Sequence, residues 1–245
     1  MKPILLKIIL IYLFLVHMIS NKISGNNIDT VIYLIPGQGS DYRLFKNLLI
    51  DNKYKIKYIT YNVPGKNMTL HEYAKELALQ IDTTEKFVLI GVSLGGMIST
   101  EMCEFLNPIK TIVISSAKNR NELPKRYKFQ RKFPIYKIVP PHITKIGAKI
   151  LQPIVEPDRN KEKETCKKML NDKDPLFLKR TIKMIMEWDR IKYKPEIIHI
   201  HGNNDKTIPI RNVKYNYLVP DGSHMMVLTR GEEISNLIYE ILQVQ

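Results

Sequence analysis

The chain has 245 residues, 44% of them hydrophobic, with 11 Gly, 14 Pro and only 2 Cys. That suits one large domain with a sizeable core, and no internal repeat, low-complexity tract or Gly/Ser linker divides it. A net charge of +14 would suit nucleic acid or an anionic surface, but no nucleic-acid-binding motif accompanies it, which argues against the first. Cys103 and Cys166 stand in no metal-ligand spacing and read as one core and one surface thiol, so neither a metal nor a cofactor is expected.

In chain order, Lys2 and Lys7 lead into an apolar run from Ile8 to Ile19. Its dozen residues fit a signal-peptide core of about 7–15 better than a membrane span of about 20. Counting from Ile4 lengthens the run, so an uncleaved anchor stays open, as does a helix packed on the domain. Residues 1–26 are therefore read as a signal peptide or N-terminal anchor, cleaved if at all near Ser20 or Ser24-Gly25, and the protein as exported or membrane-associated. No cysteine precedes Cys103, which excludes lipid attachment at a processed N-terminal Cys.

From residue 27 on, strands and helices alternate. Thr30 to Ile35 reads as a buried strand, broken by Pro36-Gly37-Gln38-Gly39-Ser40. Asp41 is an N-cap for a helix over Tyr42 to Leu49, and Tyr54 to Tyr61 is a second strand. Apolar residues at 70, 73, 74, 77, 78 and 81 give a helix from Leu70 to Ile81. A strand at Phe87–Ile90, a helix over Met97–Leu106 and a strand at Thr111–Ile114 follow. Strands at Glu196–His201 and Val213–Leu218 and a helix at Glu232–Leu242 close the chain. Six strands separated by crossovers imply a parallel, doubly wound sheet with helices on both faces.

The chemistry concentrates at Gly91-Val92-Ser93-Leu94-Gly95. A Gly-x-Ser-x-Gly between a strand and a helix is the pattern of a nucleophile elbow, with the serine on a sharp turn and the helix N-terminus aimed at any anion formed there. His201-Gly202-Asn203-Asn204-Asp205 ends a later strand in a loop bearing a carboxylate, and Gly222-Ser223-His224 follows the next. A serine hydroxyl needs a base, a histidine titrates near neutrality, and a carboxylate can hold its other ring nitrogen.

Ser93, Asp205 and His224, in that order, resemble the α/β-hydrolase superfamily over the chain from about Asn27 to the C-terminus, weakly through residues 117–190. The resemblance implies a mostly parallel α/β-hydrolase fold lacking the first two of the usual eight strands. It implies Ser93 as nucleophile, His224 as base and Asp205 as acid. An oxyanion hole would be formed from the backbone N–H groups of Leu94 and Gln38. The family often carries His-Gly at the start of that loop; here it is Pro36-Gly37, so any role of that histidine is absent. The activity implied is hydrolysis of a small or lipid-like ester, most simply a carboxylic ester, through an acyl-enzyme. A thioesterase, an amidase or an acyltransferase would carry the same triad, and a catalytically silent ligand- or membrane-binding member is the reading from another class.

Other assignments are weaker. The alternative site for the acid, Ser115-Ser116-Ala117-Lys118-Asn119, has no carboxylate. Asp221 is expected to shape a turn with Gly222. His199 and His201 share one side of a strand, but no third metal ligand follows at a suitable spacing. His71 reads as a surface residue, His142 as a loop residue, and Ser40 and Ser99 carry no motif. Residues 117–190 hold 20 Lys and Arg against 9 Asp and Glu, where the superfamily places a lid. Lys125 to Ile138 interleaves cations with aromatics, and Phe177–Trp188 reads as an amphipathic helix. Two expectations follow: a lid that meets an anionic membrane surface or acidic substrate, or a lysine-rich solvated face over a pocket.

Overall fold

A computed structural model describes residues 30–244, and the signal peptide or anchor expected over residues 1–26 lies outside them. Six strands form one parallel sheet in the order β2-β1-β3-β4-β5-β6, as the alternation of elements implies. They are β1 (Thr30–Ile35), β2 (Lys55–Tyr58), β3 (Lys86–Val92), β4 (Lys110–Ile114), β5 (Ile198–Gly202) and β6 (Tyr217–Val219). The period of two along β1 divides the core. Val31, Tyr33 and Ile35 pack on one face and Ile32 and Leu34 on the other, because successive side chains of a strand alternate. The chain winds from β1 outward to β2, then returns past β1 to β3. Ligands bind at such a reversal, beyond the carboxyl ends of the strands.

Helices cover both faces. On one lie α1 (Leu70–Ala78), begun by a Thr69–Glu72 capping box, and α2 (Leu94–Met102), which follows β3 directly. Between β4 and β5 come α3 (Lys125–Lys132), α4 (Ile135–Ile138), α5 (Pro141–Val155), α6 (Lys163–Asp172) and α7 (Pro175–Glu187). The chain ends with α8 (Met226–Thr229) and α9 (Gly231–Gln243). No helix of the described residues is long and apolar enough to cross a membrane.

Several elements depart from the sequence reading. Asp41 caps as expected, accepting from the Arg43 N–H at 3.0 Å, but the turn it starts ends at Phe45. Tertiary contacts claim the next residues: the Asn47 amide donates to the Leu228 carbonyl at 2.7 Å, and the Asn47 carbonyl lies where a Cβ on Gly231 would be. The second strand stops at Tyr58, since it is an edge strand paired only with β1. Cys166 is buried in the core beside Met169, not exposed, because α6 packs against the sheet face that carries α8 and α9. His142 lies in the first turn of α5, after Pro141, rather than in a loop.

The α3–α7 segment is held at its end by Glu101 of α2, which is 2% exposed. Its carboxylate accepts from Arg190 Nε at 2.5 Å and Nη2 at 2.7 Å, from Trp188 Nε1 at 2.7 Å, and from His71 Nδ1 at 2.8 Å. His71, with 41% of its side chain exposed, is a surface residue as expected, and one that also pairs with a buried acid. Burial alone would raise the Glu101 pKa, but the Arg190, Trp188 and His71 donors outweigh it and hold the carboxyl below its ordinary value. Removing one member of a buried ion pair strands the other, at a cost of about 3–5 kcal/mol. Glu101→Ala should therefore lose stability of that order in urea titrations monitored by Trp188 fluorescence, and a change below about 1 kcal/mol would show that the cluster is not a structural anchor.

Candidate active site

Ser93 joins β3 to α2 with φ 54° and ψ −115°, a region that non-glycine residues rarely enter and that costs about 1–3 kcal/mol. The surroundings enforce it. A Cβ on Gly95 would lie 2.1 Å from the Ile35 carbonyl oxygen, and one on Gly91 would lie 2.3 Å from the Gly95 oxygen and 2.4 Å from Ser99 Oγ. Both glycines are present for close approach rather than for an unusual φ, since no glycine among the described residues has a positive one. Ser99 Oγ donates to the Gly95 carbonyl at 2.8 Å, and Ser116 Oγ to the Ser93 carbonyl at 2.7 Å. Ser99 thus braces the back of the turn, and Ser116, on the loop after β4, braces its side.

Two other loops meet above Ser93. A Cβ on Gly202, at the end of β5, would strike the Gly222 carbonyl at 2.1 Å, so the loops after β5 and β6 lie in contact. Asn204 N–H donates to that same carbonyl at 3.0 Å, and Asp221, with φ 55°, donates its N–H to Asn203 Oδ1 at 2.6 Å. The pinned loops present Asp205 to His224. Asp205 Oδ1 accepts from the Thr207 and Ile208 N–H groups, both at 2.8 Å, which leaves Oδ2 for His224 Nδ1 at 2.8 Å. His224 Nε2 lies 2.9 Å from Ser93 Oγ. The structure therefore brings Ser93, His224 and Asp205 into one hydrogen-bonded line. Asp205 and His224 are buried, while Ser93 keeps partial exposure.

Burial works against a charged His224, yet the charge and hydrogen bond of Asp205, with the charge of Glu156, outweigh it and lift the ring's pKa to about 9. With the ring neutral, the Ser93 hydroxyl donates to Nε2, ready to pass on its proton.

The backbone N–H groups of Leu94 and Gln38 donate to no other described residue. Leu94 opens α2, whose first N–H groups have no partner within the helix and whose dipole favours negative charge. Gly37 lies beside Ser93, since a Cβ on it would be 3.4 Å from Ser93 Cβ. The Gln38 side chain turns away and donates to the Leu178 carbonyl at 3.1 Å and to Thr181 Oγ1 at 2.7 Å, fixing the loop to α7. Its neighbour Gly39 lies against Leu170 of α6.

His199 and His201 are spoken for. His199 Nδ1 donates to the Lys214 carbonyl at 3.0 Å and His201 Nε2 to the Ile208 carbonyl at 2.8 Å, the remaining nitrogens facing each other at 3.1 Å. Burial holds both rings below their ordinary pKa. Among the described residues no group of three or more His, Cys, Asp or Glu could hold a metal ion. Ser40 Oγ donates to the Gly37 carbonyl at 3.1 Å and so shapes its own loop.

No family model matches the chain, and no curated protein matches it in sequence. Solved structures do. It is similar to a thermophilic esterase from Thermogutta terrifontis, at 16% identity over 87% of this chain and 89% of that one, with a TM-score of 0.63. It is similar to a hydrolase from Pseudomonas aeruginosa, at 14% identity over 89% and 91%, TM-score 0.64. A lipase-esterase related protein from Clostridium acetobutylicum aligns at 16% identity over 88% and 96%, TM-score 0.59. The chain has the α/β-hydrolase fold. Within that fold, the line Ser93–His224–Asp205 lies at the carboxyl ends of β3, β5 and β6, with the β1 loop alongside.

Because the folded pKa of His224 is raised above the ordinary value of about 6.5, its charge contributes stability that is fully present below that value. The contribution is lost as pH rises through about 9. An NMR titration of the imidazoles should therefore place the His224 midpoint near 9 and, in Asp205→Asn, move it to lower pH. A midpoint at or below 6.5 in the unaltered protein would contradict the electrostatics of the pair.

Proposed function

We propose that the chain is a serine hydrolase that cleaves a carboxylic ester through an acyl-enzyme on Ser93. The observation that carries this is the unbroken line from Ser93 Oγ through His224 to Asp205, beside two N–H groups without partners among the described residues. Likeness in fold to proteins described as esterases and hydrolases supports it. In this reading Ser93 Oγ attacks the ester carbonyl carbon as its proton passes to His224 Nε2, and Asp205 stabilises the imidazolium. The carbonyl oxygen becomes an oxyanion that accepts from the Leu94 and Gln38 N–H groups. Each such donor is worth about 3 kcal/mol in a transition state. The tetrahedral adduct collapses, the alkoxide leaves with the proton held by His224, and water repeats the sequence to release the acid and restore Ser93.

Kinetics on a p-nitrophenyl ester tests the assignment. His224→Ala should reduce kcat by several orders of magnitude, and Asp205→Asn by about ten-thousand-fold through loss of the correct tautomer. An Asp205→Asn protein with undiminished kcat would place the acid elsewhere.

A second observation favours a lipid-like ester taken up at a surface, with residues 117–190 as a lid. No residue of α5 is buried. Ile143, Ile146, Ile150 and Ile154, three and four apart, form an apolar stripe, with Ile150 63% and Ile154 64% exposed. Leu151, Phe133 and Ile138 extend the exposed apolar surface, and the exposed cations Lys125, Lys132, Lys137 and Lys149 belong to the same helices. Arg131 instead turns inward to the carbonyls of Met186 and Trp188, while Arg126, exposed like the lysines, donates to the Thr207 carbonyl. Apolar residues interspersed with lysines suit the interface of an anionic bilayer. Protein beginning at Asn26 should therefore sediment with phosphatidylglycerol vesicles and less with phosphatidylcholine, binding should fall with salt, and Ile143, Ile150 and Ile154 changed together to Ser should abolish it. Binding that survives the triple change would remove the face from the account.

A further inference from the structure

The site holds a carboxylate that the ester mechanism does not use. Glu156 follows the last residue of α5 and is 5% exposed. Its Oε1 accepts from Thr207 Oγ1 at 3.4 Å, while the buried Oε2 has no hydrogen-bond partner among the described residues. Thr207 is the residue whose N–H donates to Asp205 Oδ1, so Glu156 stands one side chain away from the Asp205–His224 pair. A buried carboxylate served only by a long bond from Thr207 and by the neighbouring Met225 N–H is costly, and a helix end that merely needed to stop could do so with an apolar residue.

We propose that Glu156 is a positioning residue: a second carboxylate, set against the His224–Asp205 pair by the segment between β4 and β5, that governs the pH at which His224 can accept a proton from Ser93. The proposal rests on the serine-hydrolase reading for its catalytic consequence, not for its electrostatics.

The charges around it give the sign. From the loop after β5 comes Asp205, and from β5 itself comes His201, whose Nε2 lies 3.6 Å from Asp205 Oδ2. From the loop before α8 come His224 and the Met225 N–H, and from α6 comes the thiol of Cys166. Arg126 of α3 opposes the charge of His224, and Arg159 of the turn before α6 acts on Cys166. Burial and the charge of Asp205 raise the Glu156 pKa, against the influence of His224, to about 7. As pH rises through that value Glu156 becomes an anion, and an anion beside the imidazolium keeps its proton on. The ionised carboxylate thus delays the appearance of neutral His224 and displaces activity toward alkaline pH. Because Glu156 belongs to the segment over the site, the seating of that segment and the basicity of His224 are coupled.

The test is the isosteric Glu156→Gln, with Glu164→Gln, an exposed acid of α6, as control. In NMR titrations the His224 midpoint should fall by roughly one unit in Glu156→Gln, the lower end of what a neighbouring charge does, and stay in place in Glu164→Gln. The acid limb of kcat/KM on a p-nitrophenyl ester should move by the same amount, with the alkaline plateau little changed. An unmoved His224 midpoint in folded Glu156→Gln would overturn the proposal, whether or not the protein hydrolyses esters. If Glu156→Gln does not fold, carbon-13 titration of the unaltered protein decides the matter. His224 shifts that respond as the Glu156 carboxyl ionises near pH 7 would support the coupling, and shifts blind to that ionisation would overturn it.

Discussion

The crowding of backbone on backbone where β1 meets the turn after β3 is the constraint on which the rest of the site depends. Gly95 sits so close to the Ile35 carbonyl that no side chain fits, and Gly91 is blocked by the same turn and by Ser99. This contact holds Ser93 in its unfavourable backbone conformation, places Leu94 at the first position of α2, and sets the Gly37–Gln38 loop beside both. Ser93 and the two N–H groups are therefore fixed by one packing arrangement at the reversal of the sheet. The strain of one residue is small against the burial of β1, β3 and α2, in which side chains such as Ile35, Leu89 and Leu94 are fully buried.

Asp205 and His224 depend on a second close approach, that of Gly202 to Gly222, which joins two loops from neighbouring strands. Its effect is electrostatic as well as steric. It buries Asp205 and His224 together, so that the charge of one decides the protonation of the other. The segment between β4 and β5 rests on these two arrangements through different links. Gln38 ties α7 to the β1 loop, Glu101 ties Trp188 and Arg190 to α2, and Glu156 accepts from Thr207, whose N–H donates to Asp205. What is firm in the scaffold and what is tuned in the site thus meet in one stretch of chain.

The parallel sheet was legible because β1, β3 and β4 are unbroken β-branched and apolar runs, each buried on both faces. Ser93 was legible because it follows such a run in a Gly-x-Ser-x-Gly turn, and Asp205 and His224 because each follows a shorter or less apolar strand in a loop containing glycine; the structure brings the three together. The limits of elements were less so. Tyr42–Leu49 has a sound N-cap, but the packing of Asn47 against Gly231 and Leu228 ends the turn early, and nothing local announces that. Glu101, Arg190 and Glu156 were missed for a related reason. Glu101 lies in an ordinary helix and Glu156 after another, and their partners are remote in sequence. The one available signal for Glu101 was a charged residue on a helix otherwise almost wholly apolar. In the basic segment, charge counting could not separate Arg126 and Arg131, which turn to carbonyls, from lysines that face solvent.

The central claim is that the aligned serine is the nucleophile, and covalent labelling with a fluorophosphonate tests it most directly. Intact mass spectrometry of the treated protein should show one adduct, which peptide mapping should place on Ser93, and Ser93→Ala should remain unlabelled while retaining its fold. Protein that takes up no adduct, or label mapped to another serine such as Ser40 or Ser99, would contradict the account.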